Sequence, residues 1–202
     1  MTTAELSKTR QAKKEAILKT ATQVFSEEGF LNVNMQRIIN ACGISRGGIY
    51  LYFQSVDELF IEVIRSRSVR QFDLIRQELK DKPDFDKVLT DYLTDHKKRL
   101  LGLSQGKPSL LRAMYEYSFT HNTEADRRLK QKQVNATRAT VQSLLNLGAE
   151  QGKLASDQVR LLAEELMLLI EGMNVLALTG ELQEIQIDRQ FQQFERQFDL
   201  IN

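Results

Sequence analysis

Asn34-Met35-Gln36-Arg37-Ile38-Ile39-Asn40-Ala41-Cys42-Gly43-Ile44-Ser45-Arg46-Gly47-Gly48-Ile49-Tyr50-Leu51-Tyr52-Phe53 is the stretch on which the fold turns. Asn34 stands where an N-cap belongs, and the apolar positions Met35, Ile38, Ile39 and Ala41 behind it predict a helix of about two turns. Gly43 stops that helix. Ser45 then opens a second short helix through Arg46 to Phe53. Two short helices joined by a tight turn containing glycine carry the helix-turn-helix pattern, because glycine accepts backbone geometry that other residues resist. The second of the pair is then the element placed to read DNA.

The flanking sequence supports this reading. Upstream, Ile17, Ala21, Val24 and Phe25 recur at helical period up to Gly29, and Phe30 is expected to fold back on the helix end, giving a helix from Thr9 to Glu28. Downstream, Ser55-Val56-Asp57-Glu58 has the form of a capping box and opens a long helix toward Pro83. Three segments follow: 1–54 a helix-turn-helix head, 55–82 a connecting helix, and 83–202 a larger helical body. In the body, apolar spacing predicts five helices: Phe85 to Leu101, Leu110 to Ser118, one capped by Asn122 and running to Leu147, one capped by Ser156, and a last one through Ile187, Phe191, Phe194 and Phe198. The fourth of these is apolar on more than one face, through Leu161, Leu162, Leu166, Met167, Leu169, Ile170 and Met173. It needs cover on two sides, and a second copy of the chain is one way to supply it.

Composition agrees with an all-α protein. The 202 residues are 42% hydrophobic and 27% charged with only two prolines, so a globular core is possible and strand-and-turn punctuation is missing. A single cysteine, Cys42, excludes an intramolecular disulfide, and the polar start from Met1 to Arg10 has no signal-peptide pattern, so a cytoplasmic location is expected. The most apolar stretch, Leu161 to Leu178, is broken by Glu164, Glu165, Glu171 and Asn174 and is not expected to span a membrane. The overall charge of +1 conceals an asymmetry: residues 1–54 hold seven basic side chains against four acidic ones, and the remainder is net negative. A polyanion partner at the N-terminal end fits that distribution.

The run Ile17-x3-Ala21-x3-Phe25-x3-Gly29-Phe30, then Ile38-x3-Ala41-x-Gly43-Ile44-Ser45-x-Gly47-x-Ile49-Tyr50-x-Tyr52-Phe53, then Ser55-x-Asp57-Glu58-Leu59 resembles the TetR family of bacterial transcription regulators. The resemblance covers about a quarter of the chain. It implies an N-terminal three-helix head that binds operator DNA, joined by a long helix to a helical ligand-binding and dimerisation body. It further implies a homodimeric repressor on a pseudo-palindromic operator, released by a small apolar or aromatic ligand, with no enzymatic activity and no cofactor.

By the same resemblance Asn34, Gln36, Arg37, Ser45, Arg46, Gly47, Gly48, Tyr50 and Tyr52 face DNA. Arg46 suits guanine or a phosphate, Gln36 an adenine edge, and Tyr50 a phosphate. A packed ring is an equal reading for Tyr52, and Ile49 and Phe53 belong to the core of the head. Lys8, Arg10, Lys13 and Lys14 either touch flanking phosphates or form a solvated helix start. Gly48, Leu51 and Val56 depart from the family's usual Thr or Ser, His and Lys, each removing a polar contact. A modest affinity or an unusual operator is therefore expected.

An effector pocket would draw on Phe85, Tyr92, His96, Met114, Tyr115, Tyr117 and Phe119, although core packing accounts for each of them singly as well. Glu116 reads as a solvent-facing carboxylate or a partner for a cationic ligand. Cys42 reads as a small apolar turn residue rather than a redox sensor. His96 and His121 lack the neighbours of a metal site, and Gly102-x3-Gly106-Lys107-Pro108 is too short for a phosphate loop and has Pro in place of the magnesium-binding hydroxyl. Two alternatives remain: a body that docks a protein instead of a small ligand, and a metal-carboxylate helical bundle. The latter needs Glu three residues before a histidine, where Leu93 and Ser118 stand.

Overall fold

The computed structural model describes residues 3–199, with side chains for 8–70 and 72–198. Met1 and Thr2 of the polar start lie outside the described residues. Among the described residues there are nine helices and no strand: α1 (Thr3–Glu28), α2 (Met35–Cys42), α3 (Arg46–Tyr50), α4 (Val56–Leu79), α5 (Phe85–Ser104), α6 (Leu110–Thr120), α7 (Glu124–Glu150), α8 (Val159–Leu178) and α9 (Glu184–Asp199). The fold is all-α, and five helices follow α4 in chain order as expected. The chain forms two compact units. One comprises the chain up to Val69 together with Pro108–Asp126, and the other Arg70–Lys107 with the chain from Arg127 onward.

The first unit is built on aromatic packing. Ile17, Ala21, Val24 and Phe25 bury one stripe of α1, which ends as the sequence predicts: Gly29 takes a φ of +81° and its amide donates to the Phe25 carbonyl at 3.0 Å. Phe30 turns inward, its ring centroid 4.9 Å from Phe60 and 5.0 Å from Tyr117, and Phe60 also meets Phe25 edge-on at 4.7 Å. Ile38, Ile49, Phe53 and Leu59 complete this core. Removing a ring of this kind costs about 3–5 kcal/mol.

α6 belongs to the same core. Ser109 donates its amide to the Ser26 carbonyl at 2.9 Å, and the Glu116 carboxylate accepts from the amides of Phe30 at 2.6 Å and Leu31 at 3.1 Å. Arg112 Nε donates to the other Glu116 oxygen at 2.8 Å. Glu116 is thus neither solvent-facing nor poised for a ligand. It clasps the corner between α1 and α2, whose amides no helix satisfies.

Two caps differ from expectation. α7 is opened by Thr123, not Asn122, because Thr123 and Asp126 satisfy each other reciprocally: the Asp126 carboxylate accepts from the Thr123 amide at 2.9 Å while the Thr123 hydroxyl accepts from the Asp126 amide at 3.2 Å. Ser156 lies in a turn that closes through Gln158 N to Ala155 O at 3.0 Å, so α8 begins only at Val159 and has no side-chain cap.

The second unit packs α5 against α8 and α9. Phe85 is fully buried, meets Phe198 edge-on at 5.6 Å, and lies against Gly148, where an added Cβ would come within 2.8 Å of the ring and 2.6 Å of Leu154. Lys97 bridges α5 to α9 through Glu184 at 2.9 Å and Asp188 at 2.6 Å. α8 buries Leu162, Leu166, Ile170 and Met173 on one face and leaves Leu161, Leu168, Val175 and Leu176 exposed on another. No helix among the described residues is long and apolar enough to cross a membrane.

Candidate nucleic-acid interface

Local capping sets the geometry of the head. The Asn34 side chain accepts from the Arg37 amide at 2.9 Å and fixes the start of α2, while Gly43 ends it in the left-handed region at φ +62°. Ser45 accepts from the Gly48 amide at 3.1 Å and starts α3. A Cβ at Gly48 would stand 3.1 Å from that same hydroxyl, so the bare glycine leaves the cap undisturbed, whereas nothing lies within 4 Å of a Cβ at Gly47. Ile49 and Phe53 anchor α3 in the core, as the sequence predicts.

With those two side chains inward, α3 presents Arg46, Gly47 and Gly48 outward, and the Arg46 guanidinium lies 5.7 Å from the centroid of the Tyr50 ring. Gln36 is exposed and donates to Asn40 at 2.9 Å. Arg37 is held within the head, its Nε 2.7 Å and its terminal nitrogen 2.6 Å from Glu28 Oε1, which leaves Arg46 as the cation of α2 and α3 that is not paired to a carboxylate among the described residues. Tyr52 is half-buried beneath Arg10, whose guanidinium lies 5.9 Å from its ring centroid. The capping box at the start of α4 is shifted by one residue: Ser55 accepts from the Glu58 amide at 3.1 Å, but Glu58 reaches back to the Gln54 amide at 2.7 Å.

Cys42 sits at the end of α2 with its thiol pushed above the ordinary range by burial, offset in part by a hydrogen bond with Thr20, which disfavours the reactive thiolate. Among the described residues no group of three His, Cys, Asp or Glu side chains is arranged to hold a metal.

The seven residues expected to line an effector pocket divide between the units. Phe85, Tyr92 and His96 lie in the second, and Met114, Tyr115, Tyr117 and Phe119 in the first. Tyr117 is a core residue stacked on His121 at 4.1 Å and donating its phenol to Asp126 at 2.8 Å, whereas Phe119 is 76% exposed. Tyr92 and His96 stand one turn apart on α5 with ring centroids 4.5 Å apart. Burial pushes the Tyr92 phenol up to about 12 and the His96 imidazole down to about 3, with Arg99 nearby lowering both. The His96 Nε2 is buried with no hydrogen-bond partner among the described residues, so the neutral ring carries an unsatisfied polar atom.

A helix-turn-helix head with a side-chain-capped recognition helix, carried by an all-helical chain, defines a class of DNA-binding protein. Residues 17–63 match the model of the bacterial regulatory proteins, TetR family. That match, to the N-terminal head and the start of α4, bears out the resemblance of this segment to the family. It is 36% identical over 74 residues to the HTH-type transcriptional regulator YerO of Bacillus subtilis (strain 168), covering 35% of this chain and 26% of YerO. It is 29% identical over 154 residues to the HTH-type transcriptional regulator YfiR of the same organism, covering 74% of this chain and 72% of YfiR. The chain thus spans about a quarter of YerO and nearly three quarters of YfiR. The transcriptional regulator FadR of Bacillus subtilis, solved in complex with stearoyl-CoA, shares the fold at a TM-score of 0.66, with 16% identity over 91% of this chain and 96% of that one.

Proposed function

We propose that the protein is a homodimeric transcriptional repressor whose two heads bind a pseudo-palindromic operator and which a small apolar or aromatic ligand in the helical body releases from DNA. The observation that carries this reading is the α3 surface: an exposed Arg46 braced on Tyr50, beside two glycines that let the backbone approach a groove. Asn34, Gln36, Arg37, Ser45, Tyr50 and Tyr52 surround it as the remaining contacts, with Arg37 acting after exchange of its Glu28 partner for a phosphate. Since Gly48, Leu51 and Val56 bring no polar group to DNA, affinity is modest, and a low-nanomolar Kd at physiological salt would contradict this point.

The dimer reading is supported by α8, whose exposed Leu161, Leu168 and Val175 recur every seven residues and form one apolar seam. A ligand-responsive body is supported by FadR, which was solved with stearoyl-CoA. Tyr92 and His96 are the first candidates for ligand contact, both on α5 within the second unit. A ligand shifts the DNA-bound population only by its differential affinity for the bound and free arrangements, so release requires a body that binds it better off DNA. The work of the protein is done in the cytoplasm with its DNA, without enzymatic turnover.

Native mass spectrometry of the protein with a selected operator tests this reading. Two or more chains per duplex, lost on adding a compound recovered from the body, is the expected result. A monomer on DNA, or a body that retains and responds to no small molecule, contradicts it. In the latter case a protein-docking body becomes the reading to pursue.

A further inference from the structure

The two units treat their buried polar groups differently. In the first, the buried Asp126 carboxylate accepts from the Tyr117 phenol and from the amide and hydroxyl of Thr123. In the second, His96 Nε2 and Ser104 Oγ on α5 and Gln133 Nε2 on α7 are buried with no hydrogen-bond partner among the described residues. Folded interiors leave few such atoms, and each one calls for an explanation. His96 stands on the inward face of α5 between the buried Leu93 and Leu100, where an apolar side chain would pack at no such cost. Tyr92, His96 and Arg99 follow one another at i, i+4 and i+7 and so share a stripe of that helix. Arg99 is exposed along part of its length, yet desolvation lowers its guanidinium from the ordinary value. It pairs with no carboxylate among the described residues: Asp95, whose charge reaches it, is held by Lys98 at 3.2 Å. Lys97 is likewise committed, to Glu184 and Asp188. The stripe therefore offers hydrogen-bond donors and a single uncommitted positive charge, beside two rings that are both neutral at pH 7.

We propose that the effector is a carboxylate: an apolar or aromatic body bearing one ionised carboxyl group, whose oxygens accept from His96 Nε2–H and from the Arg99 guanidinium while the Tyr92 ring holds the imidazole in place. This rests on the ligand-released reading and narrows its ligand from an apolar compound to an apolar monoanion. Charge selects the class. One guanidinium beside two neutral rings matches one negative charge, whereas a phosphomonoester carries nearly two and would leave charge unpaired. A cationic ligand would meet the field of Arg99 with no free carboxylate to offset it, and a plain hydrocarbon would leave His96 Nε2 unsatisfied. The planar guanidinium fork suits the two oxygens of a carboxylate, and hydrogen bonds to a charged acceptor are the stronger kind.

The test measures binding to the full chain without DNA, by calorimetry and thermal shift, of a panel of short- and medium-chain alkanoates and phenylalkanoates, each beside the alcohol and the primary amine of the same skeleton. The acids are expected to bind roughly tenfold or more tightly than their alcohols, and the amines more weakly than either. Arg99→Gln and His96→Phe are each expected to weaken the acids roughly ten- to a hundredfold while leaving the alcohols within about twofold of their wild-type affinity, and Arg99→Lys to keep part of the preference. Thermal melts identify any variant that fails to fold, and Arg99, on the exposed side of the stripe, keeps the test open if His96→Phe does not. A panel in which no acid binds, in which alcohols or amines bind as well as the acids, or in which folded Arg99→Gln keeps the full preference for acids overturns the proposal. Release of the selected operator is read separately. If the acids bind through Arg99 and His96 but leave the operator bound, the ligand-release reading fails and the carboxylate site stands. If alcohols or amines release the operator and no acid binds, the release reading stands and the carboxylate falls.

Discussion

Replacing Glu116 by alanine removes the acceptor that holds the corner between α1 and α2. The carboxylate takes the Phe30 amide at 2.6 Å and the Leu31 amide at 3.1 Å, and its side chain is only 16% exposed. Phe30 is buried, so its amide loses its partner with little water to replace it, which costs about 1–3 kcal/mol. The Leu31 amide lies closer to solvent and recovers much of its loss. The Arg112 pair is half-exposed on the arginine side and adds little. A total near 2–3 kcal/mol corresponds to a fall of roughly 4–12 °C in melting temperature for a chain of this size. Glu116→Gln keeps one acceptor oxygen and is expected to lose about half as much. Calorimetry of the three proteins at one pH reads this directly. A melting temperature of Glu116→Ala within a degree of the wild type would refute the clasp, as would a Gln variant no better than the Ala variant.

Gly148→Ala places a Cβ 2.6 Å from Leu154 and 2.8 Å from Phe85 inside the second unit, and is expected to destabilise by about 1–3 kcal/mol although alanine is the better helix former; a chemical-denaturation midpoint at or above the wild-type value would contradict that packing. His96 has a folded pKa near 3 against an unfolded value near 6.5, so the unfolded chain binds the extra proton and stability falls as pH drops below about 6.5. The wild type is therefore expected to lose up to about 1.4 kcal/mol per pH unit relative to His96→Phe between pH 6 and 4, and parallel stability curves for the two would refute the buried neutral ring. Leu168→Glu places a charge in the middle of the exposed α8 seam and is expected to shift the protein toward monomer in sedimentation at micromolar concentration with its helix content unchanged; an unaltered sedimentation coefficient would remove α8 from the dimer reading.

The head was legible in the sequence because its determinants are local. Asn34, Gly43, Ser45 and Gly29 each act on amides within four residues, and the structure places each where the spacing puts it. The inward residues Ile49 and Phe53 followed from the same short period. Glu116 was misread because its partners lie 85 and 86 residues away, and no periodicity carries that separation. Tyr117 was read into an effector pocket for the same reason: its own helix gives no sign of its partner, yet its ring packs on Phe30 in the core of the first unit. Asn122 and Ser156 are good capping residues by type. Thr123 prevails over the first because Asp126 stands three residues on to answer it, and the second is spent on a turn before α8.

Selection from random duplexes with excess nonspecific competitor at physiological salt, run with the wild type beside an Arg46→Ala, Tyr50→Phe double variant, tests the central claim most directly. The account predicts that the wild type enriches a pseudo-palindrome and that the double variant, folded and still salt-sensitively bound to any duplex, does not. Enrichment of the same palindrome by both proteins, or of none by the ligand-free wild type, would contradict recognition through α3.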